Sequence, residues 1–414
     1  MTKLIKRKPI MGPVHRVGKI MVNGKPLKEV DPFSIQPDHL FFSDLHLHDR
    51  QEFTRIDPKT GLNFRLLEGL QILDQIIRIC YDYSSIHTVD FLGDWFELKD
   101  KIPNHILIEY KKRMIDLLRT NVILISLMGN HDFNLPKYPT PAIFDGEEAQ
   151  QEWTDKDGAK VIQIQSIEER KRNPFKFIKK AGWEDVSEIY FIPFQRKWED
   201  FKKEWKIAHE FKPKPKIICM HQEIPDSEYE TGKKTKGVWD LKTDPNILYL
   251  SGHLHKPQKV HGIQYLGSPY QVKFSDDKSP NRYIWLYNSK RGELAPYQLN
   301  YSKFISLDWN RIYKKEEIKA LVNGNYIRII GEIRKEDIDK ESKINFKREA
   351  ESFGAKAVIF NVKIIQGQTQ SKIPKELIDN DKGIIGQYAK DNIKDSGLEL
   401  KRLISVGEKA YESV

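Results

Sequence analysis

A chain of 414 residues, 39% hydrophobic and 31% charged, exceeds the roughly 250 to 300 residues at which one hydrophobic core stops growing, so two or more domains are expected. Its net charge is +10. No stretch approaches the roughly 18 apolar residues that span a bilayer, and the start of the chain, with Lys3, Lys6, Arg7 and Lys8, lacks the apolar centre of a secretion signal, so a cytoplasmic protein without membrane contact is expected.

In chain order, residues 1–38 read as a basic extension: residues 1 to 30 hold eight Lys or Arg against Glu29 alone. Such a segment attracts polyanions through counterion release, and equally stands as a solvated tail. Within it, Asn23-Gly24 between Met21-Val22 and Pro26-Leu27 predicts a small hairpin. From Leu40 the pattern alternates: a strand at 40–43, helical periodicity from Phe64 to Ile79, a strand at 89–92, a helix near Ile106 to Leu118 and a strand at 122–128. That alternation predicts an α/β fold, a β-sandwich flanked by helices over residues 39–300. The charged stretch from Pro136 to Ile189 breaks the alternation and reads as an insertion near the rim of the site. Strands resume at Ile189–Ile192 and Ile217–Met220, followed by hairpins around Val260–Ile263, Gln264–Gly267 and Tyr283–Tyr287. The two cysteines, Cys80 and Cys219, fall inside apolar runs, which argues for buried thiols over a bridge, and their number excludes a zinc finger.

All twelve histidines lie at or before His261, so metal chemistry is confined to the first two thirds of the chain. Beyond it, Tyr326–Ile330, Phe346–Phe353 and Ala357–Ile365 read as strand, helix and strand, a small α+β domain over 301–370. Residues 371–414 carry helical spacing of Ile385, Tyr388, Ala389, Ile393, Leu400, Leu403 and Ile404. This predicts a helical tail whose apolar face needs a partner.

Five apolar runs stop in metal-ligand side chains: Leu40–Ser43 before Asp44 and His46, Val89–Gly93 before Asp94, Val122–Gly129 before Asn130 and His131, Ile217–Met220 before His221, and Ile247–Gly252 before His253 and His255. Open α/β sheets place ligands beyond the carboxyl ends of their strands, so stops far apart in sequence can converge. Along an extended segment residues i and i+2 share a side, which lets Asp44 and His46 reach one cation and His253 and His255 reach one site. Gly93, Gly129 and Gly252 directly precede these stops, where close approach or an unusual dihedral favours glycine. Alone, a Gly-Asp is usually a turn and a histidine a surface or satisfied core residue; five stops in order are a different matter. Neutral imidazoles, carboxylates and an amide oxygen suit a pair of divalent cations, which together supply a nucleophile at neutral pH and stabilise phosphoryl and leaving oxygens.

The set Ser43-Asp44-Leu45-His46, Gly93-Asp94, Gly129-Asn130-His131-Asp132, His221 and Gly252-His253-Leu254-His255 resembles the signature of calcineurin-like metallophosphoesterases. His221-Gln222-Glu223, Gly252 to Pro257 and Tyr265 to Gln271 look like the SbcD-type DNA repair nucleases, especially their phage recombination-endonuclease relatives. The resemblance covers roughly residues 40 to 275. It implies a metallophosphoesterase sandwich in which Asp44, His46 and His255 hold one cation, Asn130, His221 and His253 the other, and Asp94 bridges them. It implies further that His131 acts on the phosphate or leaving oxygen, that Asp132 orients that imidazole, and that the cations are manganese. As partners it implies DNA, an SbcC-type ATPase docked on the helical tail, and a second copy of the chain in a homodimer, with the α+β domain capping the site.

One position departs from that pattern: many SbcD-type enzymes carry a histidine three residues after the bridging aspartate, where this chain has Glu97. A glutamate is no cationic phosphate contact. His48 and Asp49 are read as outer supports or solvent-facing groups. Lys256, Lys259 and Lys273 are candidate DNA contacts, against the commoner reading of scattered surface lysines. Gly93-Asp94-Trp95-Phe96-Glu97 and Asn130-His131-Asp132-Phe133 also resemble the UDP-diacylglucosamine hydrolases, which leaves a lipid or nucleotide pyrophosphatase as an alternative. Those enzymes are shorter and typically have arginine where this chain has His131. An inactive phosphoesterase-fold scaffold is the third reading, and here no ligand position is lost.

Overall fold

The computed structural model describes residues 32–365 other than 51–53, 99–101, 133–151, 155–159, 163–174, 185–187, 279–280, 312 and 335–339, together with 21–22 and 25–26. The hairpin expected near the start is two short strands, β1 (Met21–Val22) and β2 (Lys25–Pro26), paired antiparallel. Residues 1–20, 23–24 and 27–31 of the basic extension and the expected helical tail lie outside the described residues.

Strand and helix then alternate through β3 (His39–Phe42), α1 (Phe64–Asp82), β4 (Thr88–Phe91), α2 (Asn104–Leu118) and β5 (Ile123–Leu127). The first helix begins where Asn63, in an extended conformation, accepts the Arg65 amide on its side chain at 2.7 Å. Its stripe of Leu66, Leu70, Leu73, Ile76 and Cys80 is buried, the spacing of a helix with one face on a core.

The stretch expected to be an insertion needs correction. It does contain an additional hairpin, β6 (Glu152–Thr154) with β7 (Lys160–Ile162), but it also supplies two strands of the sandwich. β8 (Phe175–Ile178) pairs in parallel with β5, and β9 (Gly182–Glu184) pairs antiparallel with β10 (Ile189–Ile192). Phe175-Lys176-Phe177-Ile178 is four residues long and set among lysines and arginines; its strand character comes from its partner, which local pattern does not reveal.

After β10 come α3 (Trp198–Glu210), β11 (Ile217–His221), β12 (Leu248–Gly252), the hairpin β13 (Gln258–Val260) and β14 (Ile263–Tyr265), then β15 (Ile284–Asn288) and β16 (Glu293–Tyr297). They complete two six-stranded sheets, ordered β16-β15-β3-β4-β5-β8 and β13-β14-β12-β11-β10-β9. Alternate residues of each strand enter different layers. Leu40, Phe42, Val89, Phe91 and Leu124 pack under α1 and α2. Phe41, Ile125, Leu127, Ile189, Phe191, Ile217, Cys219 and Leu250 fill the space between the sheets. Tyr190, Ile192, Ile218, Met220 and Tyr249 lie under α3 with Phe201 and Trp205. Strands covered on both faces must be apolar at successive positions, which is why they read as continuous runs.

The small domain is larger than the strand, helix, strand unit expected. β17 (Phe304–Asp308) and α4 (Lys315–Val322) precede β18 (Tyr326–Arg334), α5 (Lys340–Ser352) and β19 (Ala357–Ile365), and the three strands pair in parallel in that order. The five residues of β17 and the lysine- and glutamate-rich α4 gave too little periodic signal to be read. The sheet is clamped to the sandwich at its first strand. Phe304 donates its amide to Gln271 Oε1 at 2.7 Å, Ser302 donates to Glu68 Oε1 at 2.6 Å, and Lys356 Nζ meets Glu68 Oε2 at 2.5 Å. The buried Arg65 guanidinium lies 4.7 Å from the Phe304 ring centre and 5.0 Å from that of Tyr326, and donates to the Val272 carbonyl at 2.7 Å. Phe304 also packs edge-on to Phe274. Phe304→Ala removes the ring on which this junction closes and is expected to cost about 3 to 5 kcal/mol; urea unfolding checks it, and an unchanged midpoint would show that the clamp lies elsewhere.

Candidate metal centre

β3, β4 and β5 run parallel in one sheet and β10, β11 and β12 in the other, and all five sequence stops fall at the carboxyl ends of these strands. Beyond the strands the loops are tied to one another. Asp44, His46 and Leu47 donate their amides to the carbonyls of Gly93, Asp94 and Trp95 at 2.9, 3.0 and 2.8 Å. The Asp132 carboxylate accepts the amides of Asp94, Gly129 and Trp95 at 2.8, 3.0 and 3.2 Å. The His253 amide donates to both carboxylate oxygens of Asp44 at 3.1 Å. Asp44, His46, Asp94 and His253 all hold positive φ, from 45° to 88°, a conformation that costs of order 1 kcal/mol or more for a non-glycine residue and is held by its surroundings. Glycine is required where the loops touch. A Cβ on Gly93 would lie 2.4 Å from His221 Nδ1, and one on Gly129 would lie 2.2 Å from Asp94 Oδ1.

The donor atoms form two groups, Asp44 with His46 and His255, and Asp94 with His221 and His253, and a third set of His46, Asp94 and His131 overlaps both. His46 Nε2 and His255 Nε2 face each other at 3.0 Å. Asn130 Oδ1 lies 3.0 Å from His221 Nε2 and 2.8 Å from His253 Nδ1. Asp94 Oδ2 stands between the groups, 3.4 Å from His221 Nε2 and 3.6 Å from His46 Nε2. Ligand bonds near 2.1 Å in octahedral geometry imply donor spacings of about 3 Å, so these sets fit divalent cations. The alternation argument for His253 and His255 is corrected here: the positive φ of His253 breaks the extended run and sends the two rings to different groups.

What holds the rings was largely missed in the sequence. His221 Nδ1 meets the Leu92 carbonyl at 2.6 Å; a carbonyl only accepts, so this nitrogen carries the proton and Nε2 presents its lone pair inward. Behind His46 Nδ1 stands Glu97 at 2.9 Å, behind His253 Nε2 Glu223 at 3.7 Å, and behind His255 Nδ1 Glu230 at 3.9 Å. Burial acts to lower the imidazoles, yet Asp44 and Glu97 hold His46 up at about 10, and Asp94 and Asp44 hold His221 at about 9. Burial acts to raise Asp94, but His221 and His46 keep it well below the carboxylate range. Protons therefore sit in the cation-free protein where cations would replace them.

His131 lies beside the centre, its ring edge-on to His46 at 4.7 Å and its amide donating to Asp94 Oδ1 at 2.8 Å. The expected orientation of this imidazole by Asp132 is not what the hydrogen bonds show. Asp132 is fully engaged with backbone amides, while His131 Nδ1 meets the Glu97 carbonyl at 2.8 Å, which leaves Nε2 for chemistry. Glu97, the departure from the SbcD-type pattern, thus holds His131 through its backbone and His46 through its carboxylate, and also pairs with Arg50 at 2.9 Å. Burial, then Arg65, pushes His48 down to about 3, a neutral ring that accepts the Arg50 amide. Asp49 pairs with His105 at 3.0 Å, at the start of α2. Lys256 pairs with Glu228 at 2.6 Å and Lys273 lies 4.0 Å from Glu230, while Lys259 is exposed on β13.

Residues 39–257 match the family of calcineurin-like phosphoesterases. No curated protein sequence gives a match. Among solved structures the chain is similar to a dimetal phosphatase from Danio rerio, at 12% identity and a TM-score of 0.28, over 56% of this chain and 88% of that one.

Two outcomes follow from the geometry. Gly129→Ala drives a methyl group into Asp94, so elemental analysis of the purified variant is expected to show both cations diminished; two full equivalents would refute the close contact. Because His46 and His221 sit above neutrality without cations and must be neutral to ligate, binding at pH 8 releases protons and apparent affinity rises with pH toward 9 to 10. Calorimetric titration of metal in buffers of different ionisation enthalpy measures that release, and none at pH 8 would contradict it.

Proposed function

Since the chain belongs to the calcineurin-like phosphoesterase family, whose members hydrolyse phosphoesters with metal ions, we propose that it is a DNA nuclease of the SbcD type that cleaves phosphodiesters at a two-cation centre. The observation that carries this reading is the position of Asp94 Oδ2, within 3.6 Å of ring nitrogens from both donor groups, as a bridging carboxylate requires. Asp44, His46 and His255 would hold one cation and Asn130, His221 and His253 the other. Donors of imidazole, carboxylate and amide type without thiolate suit manganese. When bound, the pair supplies Lewis acidity and a nucleophile at neutral pH.

The residues do the rest. Asp132 fixes the turn that carries Asn130 and His131. Glu97 fixes which nitrogen of His131 faces the substrate, and in the doubly protonated ring that nitrogen stabilises the phosphate or gives a proton to the leaving oxygen. DNA as substrate is supported by the segments that resemble SbcD-type enzymes, which have defined work here. Tyr265 hydroxyl accepts the Ile224 amide at 3.0 Å next to the His221 loop, and Tyr270 hydroxyl donates to the Leu45 carbonyl at 2.7 Å between Asp44 and His46. Gln271 receives the first residue of β17. The chain would act in the cytoplasm as a homodimer with an SbcC-type ATPase, with residues 301–370 over the site and 371–414 docked on the ATPase.

His131→Asn is expected to retain both cations and lose about 10²- to 10⁴-fold in the rate of manganese-dependent cleavage of linear duplex and single-stranded DNA; near-normal hydrolysis would remove its assigned role, and a wild-type chain that hydrolyses small phosphodiesters but no DNA would overturn the nuclease reading. Deleting 374–414 should spare small-phosphodiester hydrolysis and abolish capture of the ATPase, and capture that survives would refute the docking.

A further inference from the structure

The connection between β11 and β12 leaves the centre at His221 and returns to it just before His253, and one turn within it faces two ways. Its backbone closes on itself. The Tyr229 amide donates to the Lys233 carbonyl and the Gly232 amide to the Tyr229 carbonyl, both at 2.9 Å, while the Thr235 amide donates to the Ser227 carbonyl at 2.7 Å. The Thr235 hydroxyl is buried and donates to the Ile224 carbonyl at 2.6 Å. Inward from the turn, Glu230 is 7% exposed and stands behind His255, and the Tyr229 hydroxyl donates to Glu223 behind His253. Outward, Lys233 and Lys234 are exposed.

β13 continues that surface. The Glu228 amide donates to Gln258 Oε1 at 2.8 Å and Gln258 Nε2 donates back to the Glu228 carbonyl at 2.7 Å, so exposed Lys259, on this outermost strand of its sheet, lies beside the turn. The acids here do not balance the lysines. Asp226 is taken by His261 at 2.9 Å, and the buried Glu230 faces His255 and Lys273. Glu228 takes Lys256 at 2.6 Å and is held below its ordinary value by Lys256 and then by Lys234, so one carboxylate serves two lysines. Lys233 and Lys259 have no counter-ion among the described residues. Unmatched lysines on a hydrogen-bonded backbone, beside a centre for phosphoesters, suit a polyanion, whose condensed counterions they would release.

We propose that the Tyr229–Lys233 turn and β13 form a track for the phosphate backbone of a polynucleotide, with Lys233, Lys234 and Lys259 each against a phosphate outside the cation centre. The proposal rests on the nuclease reading and adds to it the side from which the substrate reaches the centre, past His255 and over β13. Lysines meet phosphates as point charges and carry no base information, so the track serves any sequence.

The test is binding of fluorescein-labelled duplex DNA to the full chain over a range of salt concentrations, followed by anisotropy in EDTA so that no cleavage occurs, with hydrolysis of bis(4-nitrophenyl) phosphate in manganese as the control. Lys259→Gln should lower the slope of log Kd against log salt by about 0.9, one phosphate contact on a duplex, and the double variant Lys233→Gln with Lys234→Gln by about 1.8. All three lysines are exposed, so the fold stays in place and the control rate should not change. Lys290→Gln removes the same charge at the exposed turn after β15, by the amino end of β3 and away from the centre, and should leave the slope as it is. Unchanged affinity and salt slope in Lys259→Gln and in the double variant, with wild-type DNA cleavage intact, would overturn the track and leave the nuclease reading standing. A loss in Lys290→Gln equal to that in Lys259→Gln would also overturn the track, since overall charge alone would then account for binding. A wild-type chain active on the small diester that neither binds nor cleaves polynucleotides would overturn both.

Discussion

Two carboxylates buried side by side set the terms for the rest of this molecule. Asp44 is 0% exposed and Asp94 is 1% exposed, and like charges out of water are tolerated only where positive charge stands close by. The chain supplies it through His46 and His221, imidazoles from two different strand ends that the carboxylates hold above neutrality. Proton-bearing rings balance the carboxylates before cations bind, and cations displace those protons afterwards. Parallel strands in two sheets are what bring the groups together, because their carboxyl ends share one edge. Gly93 and Gly129 allow the loops to approach until Asp94 touches both His221 and the His131 amide. Asp132 serves the same end one step removed: its carboxylate gathers three amides that would otherwise be unpaired in the interior.

The groups behind the rings decide which nitrogen faces inward. For His221 a carbonyl fixes the tautomer, and for His46, His253 and His255 a carboxylate stands on the outer side. Glu97 shows how one position changes work when its chemistry changes. A histidine there would carry positive charge toward a phosphate, whereas Glu97, held down at about 2 by His46 and His131 against burial, directs its charge onto His46 and anchors the half-exposed Arg50.

Much of this was legible in the sequence because the sandwich covers its strands on both faces. Runs such as Leu40–Ser43 and Ile217–Met220 stand out when every residue is buried, and a polar stop after each run marks the edge where burial ends. β8, β9 and β17 did not stand out. They are short edge or near-edge strands with lysine, glycine or serine in them, and their identity comes from the strand they pair with. The outer carboxylates were invisible for a different reason. Glu97 serves His46 and Glu230 serves His255 across long stretches of chain, and a lone glutamate in a loop carries no period to read. Asp132 was noticed for its place after His131, but adjacency in sequence misled about its partner, since the turn points its carboxylate back at the amides of residues 94, 95 and 129.

The small parallel sheet and the cation loop are packed as one body through a short series of contacts. Leu45 lies between two candidate ligands, and its carbonyl is held by the buried Tyr270. The Arg65 guanidinium sits 5.8 Å from the centre of the Tyr270 ring and spreads over Phe304 and Tyr326, so the same cation touches the sandwich and the first two strands of the small sheet. Glu68, one turn along the same helix, takes Lys356 and the Ser302 amide. A buried arginine is costly unless its donors and faces are used, and the Phe304 and Tyr326 rings meet its face only when both units are in place. Docking of the small sheet therefore completes the aromatic surroundings of Arg65, whose third ring, Tyr270, holds the Leu45 carbonyl between Asp44 and His46.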